Sequence, residues 1–144
     1  MIRDMNFMKR VFQWLLAALF IVSGTLHFVR TDFYLRLMPP YLPAHRELVY
    51  LSGVIEFGLG VLLLVPRYTR LAAWGLIATL IAVFPANLHA AMTAGTPEAA
   101  LPGEPLWQWL RLPVQAVFIA WAYWFTRPTV ADPRTSSLPG TSSS

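Results

Sequence analysis

The sequence predicts an all-α integral membrane protein: a four-helix bundle with a short amphipathic helix in its first outer loop. Three observations predict it. Of 144 residues, 56% are hydrophobic and only 12% charged, against roughly 25% charged in an ordinary soluble domain. Four stretches approach the roughly 20 apolar residues that a helix needs to cross a bilayer. Arginines and aromatic rings gather at the ends of those stretches, as they do at membrane interfaces.

Residues 1–10 form a basic N-terminal segment with Arg3, Lys9 and Arg10. The first span follows at 11–29, VFQWLLAALFIVSGTLHFV. A basic start before an apolar run also fits a signal peptide, although this run is long for one and no A-x-A site follows. The next segment, TDFYLRLMPPYLPAHREL, offers Thr31 as a helix cap and places Phe33, Tyr34, Leu37 and Met38 on one face of a short helix. Pro39-Pro40 should stop that helix, and Pro43 is suited to the first turn of the second span at 48–65. The third span is 71–92 and the fourth 106–126. Arg111 and Pro113 interrupt the fourth. One alternative is an interfacial helix at 105–111 with a new helix opening on Pro113. A helix from Pro113 alone would reach only about 21 Å, which favours one continuous, kinked helix. Residues 127–144 are rich in Ser, Thr and Pro and should form a disordered tail.

Charge sets the expected orientation. The N-terminal segment, the 66–70 loop (Arg67, Arg70) and the tail (Arg127, Arg134) hold seven of the eleven bases. The 93–105 loop holds none, only Glu98 and Glu104. The positive-inside rule then puts both termini in the cytoplasm of a bacterial inner membrane, in a multi-pass topology. The 30–47 loop dissents with Arg30, Arg36 and Arg46, tempered by Asp32 and Glu47. A net charge of +4 could suggest nucleic acid, but the bases form no patch. The expected partners are the lipid bilayer and a protein partner or second copy, with no nucleic acid. The absence of cysteine excludes disulfides, thiolate nucleophiles and cysteine-ligated metal.

Polar groups inside spans are expensive, so each needs a reason. His27 lies about one turn inside the first span, and Glu56 about 12 Å below the outer end of the second. Asn87 and His89 lie near the outer end of the third, in VFPANLHAAM. Gln108, Arg111 and Gln115 form a polar stripe at i, i+3 and i+7 on the fourth. All fall in the outer half of the bilayer, while the inner half has only Gln13 and Thr79. Residues of matching depth on four helices should converge, with Glu56 at the centre. Ser52, Gly53 and Gly60 on its face would admit a neighbouring helix closely. An ionised carboxylate is costly there, and Arg111 is the one arginine within a span, so Glu56 and Arg111 are expected to pair. Pro85 frees the carbonyl of Ile81, and Pro113 that of Trp109. In lipid such defects survive where protein or water satisfies them.

Several roles fit such a cluster. It could be interhelical glue, with His27 and His89 as interfacial anchors. Two histidines and a carboxylate could hold a metal or a haem, but their spacing is not diagnostic and no metal site is expected. A pocket opening into the bilayer suits a quinone, with Arg, His and Asn as donors to its carbonyls and Phe28, Phe57 and Phe84 as aromatic walls.

The strings GTLHF, FYLRLMPPYLP, SGVIEFGLGVLLLVPRYTRLAAWGL, VFPANLHAAM and RLPVQAVFIAWAYWFTR resemble the DoxX-like membrane proteins, in order over residues 10–128. The resemblance implies four spans and a link to redox systems, since that family is named for a subunit of a thiosulfate:quinone oxidoreductase. It places His27, Glu56, Asn87, Arg111 and Gln115 in family-like motifs. Where the pattern often has a His-Met or similar pair, this chain has His89 followed by Ala90. The expected function is a membrane subunit or accessory of a quinone-linked redox system, with Glu56, Arg111, His27, Asn87, His89 and Gln115 around a ligand. No self-contained catalytic motif is present. The alternatives are a non-catalytic scaffold or assembly subunit of a larger complex and, as a third possibility, a small-solute transporter, which would need a second copy to supply the missing repeat.

Overall fold

In a computed structural model, residues 2–97 and 105–127 are described, with side chains from Phe7 onward. They form five helices and no strand: α1 (Ile2–Val29), α2 (Thr31–Leu37), α3 (His45–Leu63), α4 (Thr69–Met92) and α5 (Pro105–Thr126). The tail expected to be disordered lies outside the described residues from 128 onward.

The long helices match the four apolar stretches, with shifted starts. α1 begins nine residues earlier than expected, because MNFMKR contains no helix breaker and simply continues the apolar helix. α3 starts at His45 rather than on Pro43. The chain turns through Ala44 in the left-handed region (φ 52°), a conformation costing about 1–2 kcal/mol outside glycine. His45 Nε2 donates to the carbonyl of the fully buried Pro39 at 3.0 Å and ties this turn down. Thr31 does not cap α2. With only Arg30 between the helices, its hydroxyl reaches back to the carbonyls of His27 (2.9 Å) and Phe28 (3.1 Å) and closes the end of α1. α5 is continuous through Pro113, as the length argument required.

Packing runs α1 on α3, α3 on α4 and α4 on α5, with α2 across one end against α1, α3 and α4. The α1–α3 contact is the closest. A Cβ on Gly24 would stand 2.6 Å from the Gly53 carbonyl oxygen and the Phe57 amide nitrogen, so only glycine fits there. A Cβ on Gly53 would stand 2.7 Å from the His27 Cβ. Gly53 and Gly60, expected to admit a helix, do so.

At the end bearing the α3–α4 turn, a dry core unites Leu16 and Ala17 with Leu63, Ala72, Leu76, Ala122 and Phe125. Gln13 Nε2 donates to the Leu63 carbonyl and to Thr69 Oγ1, fastening that turn. Thr79 bonds only its own helix, at the Gly75 carbonyl (2.9 Å).

Each of the four long helices turns apolar side chains outward. Trp14 (62% exposed), Val54 (58%), Leu71 (64%) and Val117 (62%) face outward on α1, α3, α4 and α5, while Ala72, Ala73, Ala90, Ala91 and Ala122 fill the inside. Among the described residues two helical stretches, Phe7–Val29 and Thr69–Met92, are long and apolar enough to cross a membrane by length and composition. α3 falls short because it opens on His45, Arg46 and Glu47 and contains Glu56. α5 falls short because Trp, Tyr, Gln, Arg and Pro replace aliphatic residues.

Candidate functional site

Toward the α2 end the interior opens into a cavity of about 390 Å³ that touches all five helices. Its apolar walls include Phe20, Leu80, Val83 and Phe118, and Phe33, Leu37 and Met38 of α2 and its C-cap roof it. Its polar lining comprises Ser23, His27, Ser52, Glu56, Asn87 and Arg111, with Tyr34 at the roof.

The α1–α3 notch determines what Glu56 meets. Ser23 Oγ donates to Glu56 Oε2 at 2.7 Å, and His27 Nε2 lies 3.9 Å from Glu56 Oε1. His27 Nδ1 is 2.9 Å from the Ser23 carbonyl, which can only accept, so Nδ1 carries a proton. Tyr34 stacks on the His27 ring, centroids 3.7 Å apart, and holds it in place. Burial pushes the Tyr34 phenol above its usual range, with a hydrogen bond to Ser23 pulling the other way. Tyr34 therefore stays a neutral hydroxyl at the cavity roof.

The expected Glu56–Arg111 ion pair does not form. Arg111 approaches the cavity from α5, its guanidinium carbon 5.4 Å from the centre of the Phe33 ring, and it has no carboxylate partner among the described residues. The physical reason is azimuth: the glycine contact turns Glu56 toward α1, where Ser23 and His27 meet it first. Both groups still line one cavity.

Asn87 also differs from expectation. Its Nδ2 donates to Gln115 Oε1 at 3.0 Å, and Gln115 Nε2 donates to the Leu80 carbonyl. Leu80 lies one residue before Ile81, whose carbonyl loses its donor to Pro85. The proline leaves the Ile81 carbonyl without its helical donor, and the Gln115 amide from the neighbouring helix bonds the carbonyl next to it. Gln115 is thus the buttress of Asn87 rather than part of the cavity wall. Gln108 is buried (6% exposed), and its Oε1 finds no hydrogen-bond partner.

His89 does not join the site. It lies outside the cavity lining, and its backbone carbonyl, not its ring, accepts the bond from Thr93 Oγ1 at 2.9 Å. On a regular helix its side chain points about 200° from Asn87, and the proline does not redirect it into the cavity. The expected aromatic walls are also corrected. Phe28, Phe57 and Phe84 are all more than 40% exposed, and Phe20, Phe33 and Phe118 line the cavity instead. Ser23 was not singled out in the sequence, although its place four residues before His27 puts both on one helix face. No cluster of three or more metal-ligating side chains occurs among the described residues.

The chemical capacity of the site is that of a binding pocket with one polar end. Arg111 offers donors not used by an ion pair among the described residues, Glu56, Asn87 and the hydroxyls of Ser52 and Tyr34 add polar groups, and Phe20, Leu80, Val83 and Phe118 supply hydrocarbon wall. No curated protein and no solved structure matches the chain. The resemblance to DoxX-like proteins is overturned, because the family model that matches residues 16–126 is a different one. Short strings such as VFPAN and RLP fit many apolar, proline-broken helices and do not discriminate between families of this shape. The matching model is described as a domain of unknown function (DUF8561). Since it covers most of the sequence, the chain belongs to that family.

Proposed function

We propose that the protein is a multi-pass protein of a bacterial inner membrane that holds a small lipid-soluble ligand in the cavity under α2. The observation that carries this is the cavity itself: about 390 Å³ lined by Arg111, Asn87, Glu56, Ser52 and Tyr34 together with the apolar Phe20, Leu80, Val83 and Phe118. Such a lining suits a ligand whose oxygens accept hydrogen bonds and whose remainder is apolar, and a quinone meets both conditions. In this reading the protein serves as membrane subunit or accessory of a quinone-linked redox system. A protein partner or second copy binds along its lipid-facing surface.

Support for the membrane reading comes from the outward apolar faces of all four long helices, which form patches far beyond what a soluble monomer tolerates. α3 and α5, too polar to qualify by composition, would cross with Ser52, Glu56 and Arg111 turned to the cavity and Gln115 held against α4. The positive-inside count puts both termini in the cytoplasm and α2 on the outer side. Alkaline phosphatase fused within the 93–105 loop should then be active, and fused after Arg127 inactive. The reverse pattern would overturn the orientation.

The functional test is extraction of lipid from protein purified in mild detergent, followed by titration with a quinone. Wild type should bind and quench tryptophan fluorescence. Arg111→Ala and Glu56→Gln should bind at least about tenfold more weakly, a loss of roughly 1.4 kcal/mol, while still inserting. The competing reading is a scaffold. The Asn87–Gln115–Leu80 bonds and the glycine contacts favour it, since they join helices without needing a ligand. Absence of quinone binding, with stable co-purification of a larger complex, would establish the scaffold instead.

A further inference from the structure

The cavity is closed unequally. α1 and α3 are locked by the glycine contact, and α3–α4 and α4–α5 pack directly. α2 roofs the end, with Leu37 7% exposed and Pro39 fully buried behind it. The remaining side lies between α1 and α5, which meet mainly through rings: Phe20 on Phe118 at 6.1 Å, and Phe12 on Trp121 at 5.8 Å and on Trp124 at 5.9 Å. All of these lie at or below the floor of the cavity. At the floor, Leu19, one residue before Phe20 on α1, both lines the cavity and is 47% exposed, and at the roof Phe33 of α2 does the same at 40%. A side chain that is in the cavity wall and also on the surface marks a mouth. Leu19 stands among other exposed apolar residues, Leu15 and Val22, so this mouth faces the surface read as lipid rather than water.

We infer that the ligand is a tailed amphiphile that enters from the bilayer between α1 and α5 beneath α2, leaving its tail in that seam past Leu19 and its oxygen-bearing head at Arg111. The inference rests on the ligand-cavity reading and narrows it. A water-soluble solute or a head without a tail forgoes the apolar contact along the seam, and each buried methylene adds to affinity.

The test uses the full chain in lipid nanodiscs with two fully substituted quinones: decylubiquinone, which has a ten-carbon tail, and duroquinone, which has none. Wild type should bind decylubiquinone at least about tenfold more tightly, on the basis of buried tail area, after correction for partitioning into the same nanodiscs without protein. Leu19→Trp should fill the mouth, weakening decylubiquinone about tenfold while leaving duroquinone within about twofold. Val22→Trp, on the exposed surface outside the cavity lining, should change neither. Should Leu19→Trp fail to fold, Leu19→Ala widens the mouth and should speed decylubiquinone association several-fold without affecting duroquinone. Equal loss of both quinones in Leu19→Trp, or equal speeding of both in Leu19→Ala, would overturn the seam while leaving the cavity standing. So would equal wild-type affinities for the two quinones. Binding of neither quinone by wild type would remove the cavity reading and this inference with it.

Discussion

At the end of the bundle bearing the α3–α4 turn, Leu16, Leu63, Ala72 and Leu76 are sealed from solvent, and Gln13 spends its amide on the turn. At the α2 end the same helices leave about 390 Å³ unfilled and point Arg111, Glu56 and Asn87 at it. Small residues draw the helices together in both places: alanines at the first, Gly24 and Gly53 at the second. What differs is space: the first end is packed shut, with the buried Trp121 Nε1 unpartnered among the described residues, and the second keeps a cavity beside its polar groups. Gln13 and Thr79 are absorbed by nearby carbonyls, as structural polar residues should be. Among the described residues Arg111 meets the face of the Phe33 ring, although a guanidinium can donate five hydrogen bonds.

The contrast can be broken most severely at the glycine contact that holds α1 on α3. Gly24→Leu would force α1 away from α3, because even its first carbon lies 2.6 Å from backbone atoms. We expect a loss of more than about 3 kcal/mol, read as a lower unfolding midpoint in sodium dodecyl sulfate, together with loss of quinone binding. Leu76→Ala, by contrast, hollows the dry end alone. It should cost about 2–3 kcal/mol and leave binding untouched, since Leu76 is fully buried and outside the cavity wall. Loss of binding in Leu76→Ala would mean that the two ends are mechanically one.

Gln115→Ala probes the boundary between structure and site. It removes the donor to the Leu80 carbonyl and the acceptor of Asn87 together. Interhelical hydrogen bonds in membranes contribute about 0.6–2 kcal/mol each, so a loss of about 1–2 kcal/mol is expected. Binding should weaken as well, because Asn87 would lose its orientation. Gln115→Glu keeps the acceptor for Asn87 but loses the donor to Leu80. It should recover binding more than stability, an outcome that a purely structural amide would not produce.

Much of this arrangement was legible in the sequence, and its limits are physical. The helices could be read because Pro39, Pro40, Pro66 and the polar loops punctuate long apolar runs. The depth of the cluster could be read from rise per residue alone, which brought His27, Glu56, Asn87 and Arg111 to one level. Rotation about each helix axis could not be read in the same way. Glu56 turns to His27 rather than Arg111 because of where Gly24 meets Gly53, a contact between distant residues. Phe28, Phe57 and Phe84 stand next to site residues in sequence, yet a step of about 100° carries each adjacent side chain around the helix. The strings VFPAN and RLP mislead about family because short proline- and asparagine-bearing strings report the chemistry of a broken apolar helix, not ancestry.

The smallest expected effect tests that rotational argument. His89 shares a turn of α4 with Asn87, and by sequence it is as good a ligand residue. By structure it is about 200° away on a regular helix, outside the cavity lining, with no partner for its ring among the described residues. His89→Ala should therefore change stability by less than about 0.5 kcal/mol, as for other substitutions away from structured contacts, and shift quinone affinity less than about twofold. Asn87→Ala, two residues earlier, removes both a cavity group and the partner of Gln115, and should weaken affinity by severalfold. If the two alanine variants weaken binding equally, the last turn of α4 rewinds around the ligand and His89 swings inward. If only Asn87→Ala does, the polar end of the cavity stops at Asn87, and Pro85 serves to open the Leu80–Ile81 turn for Gln115.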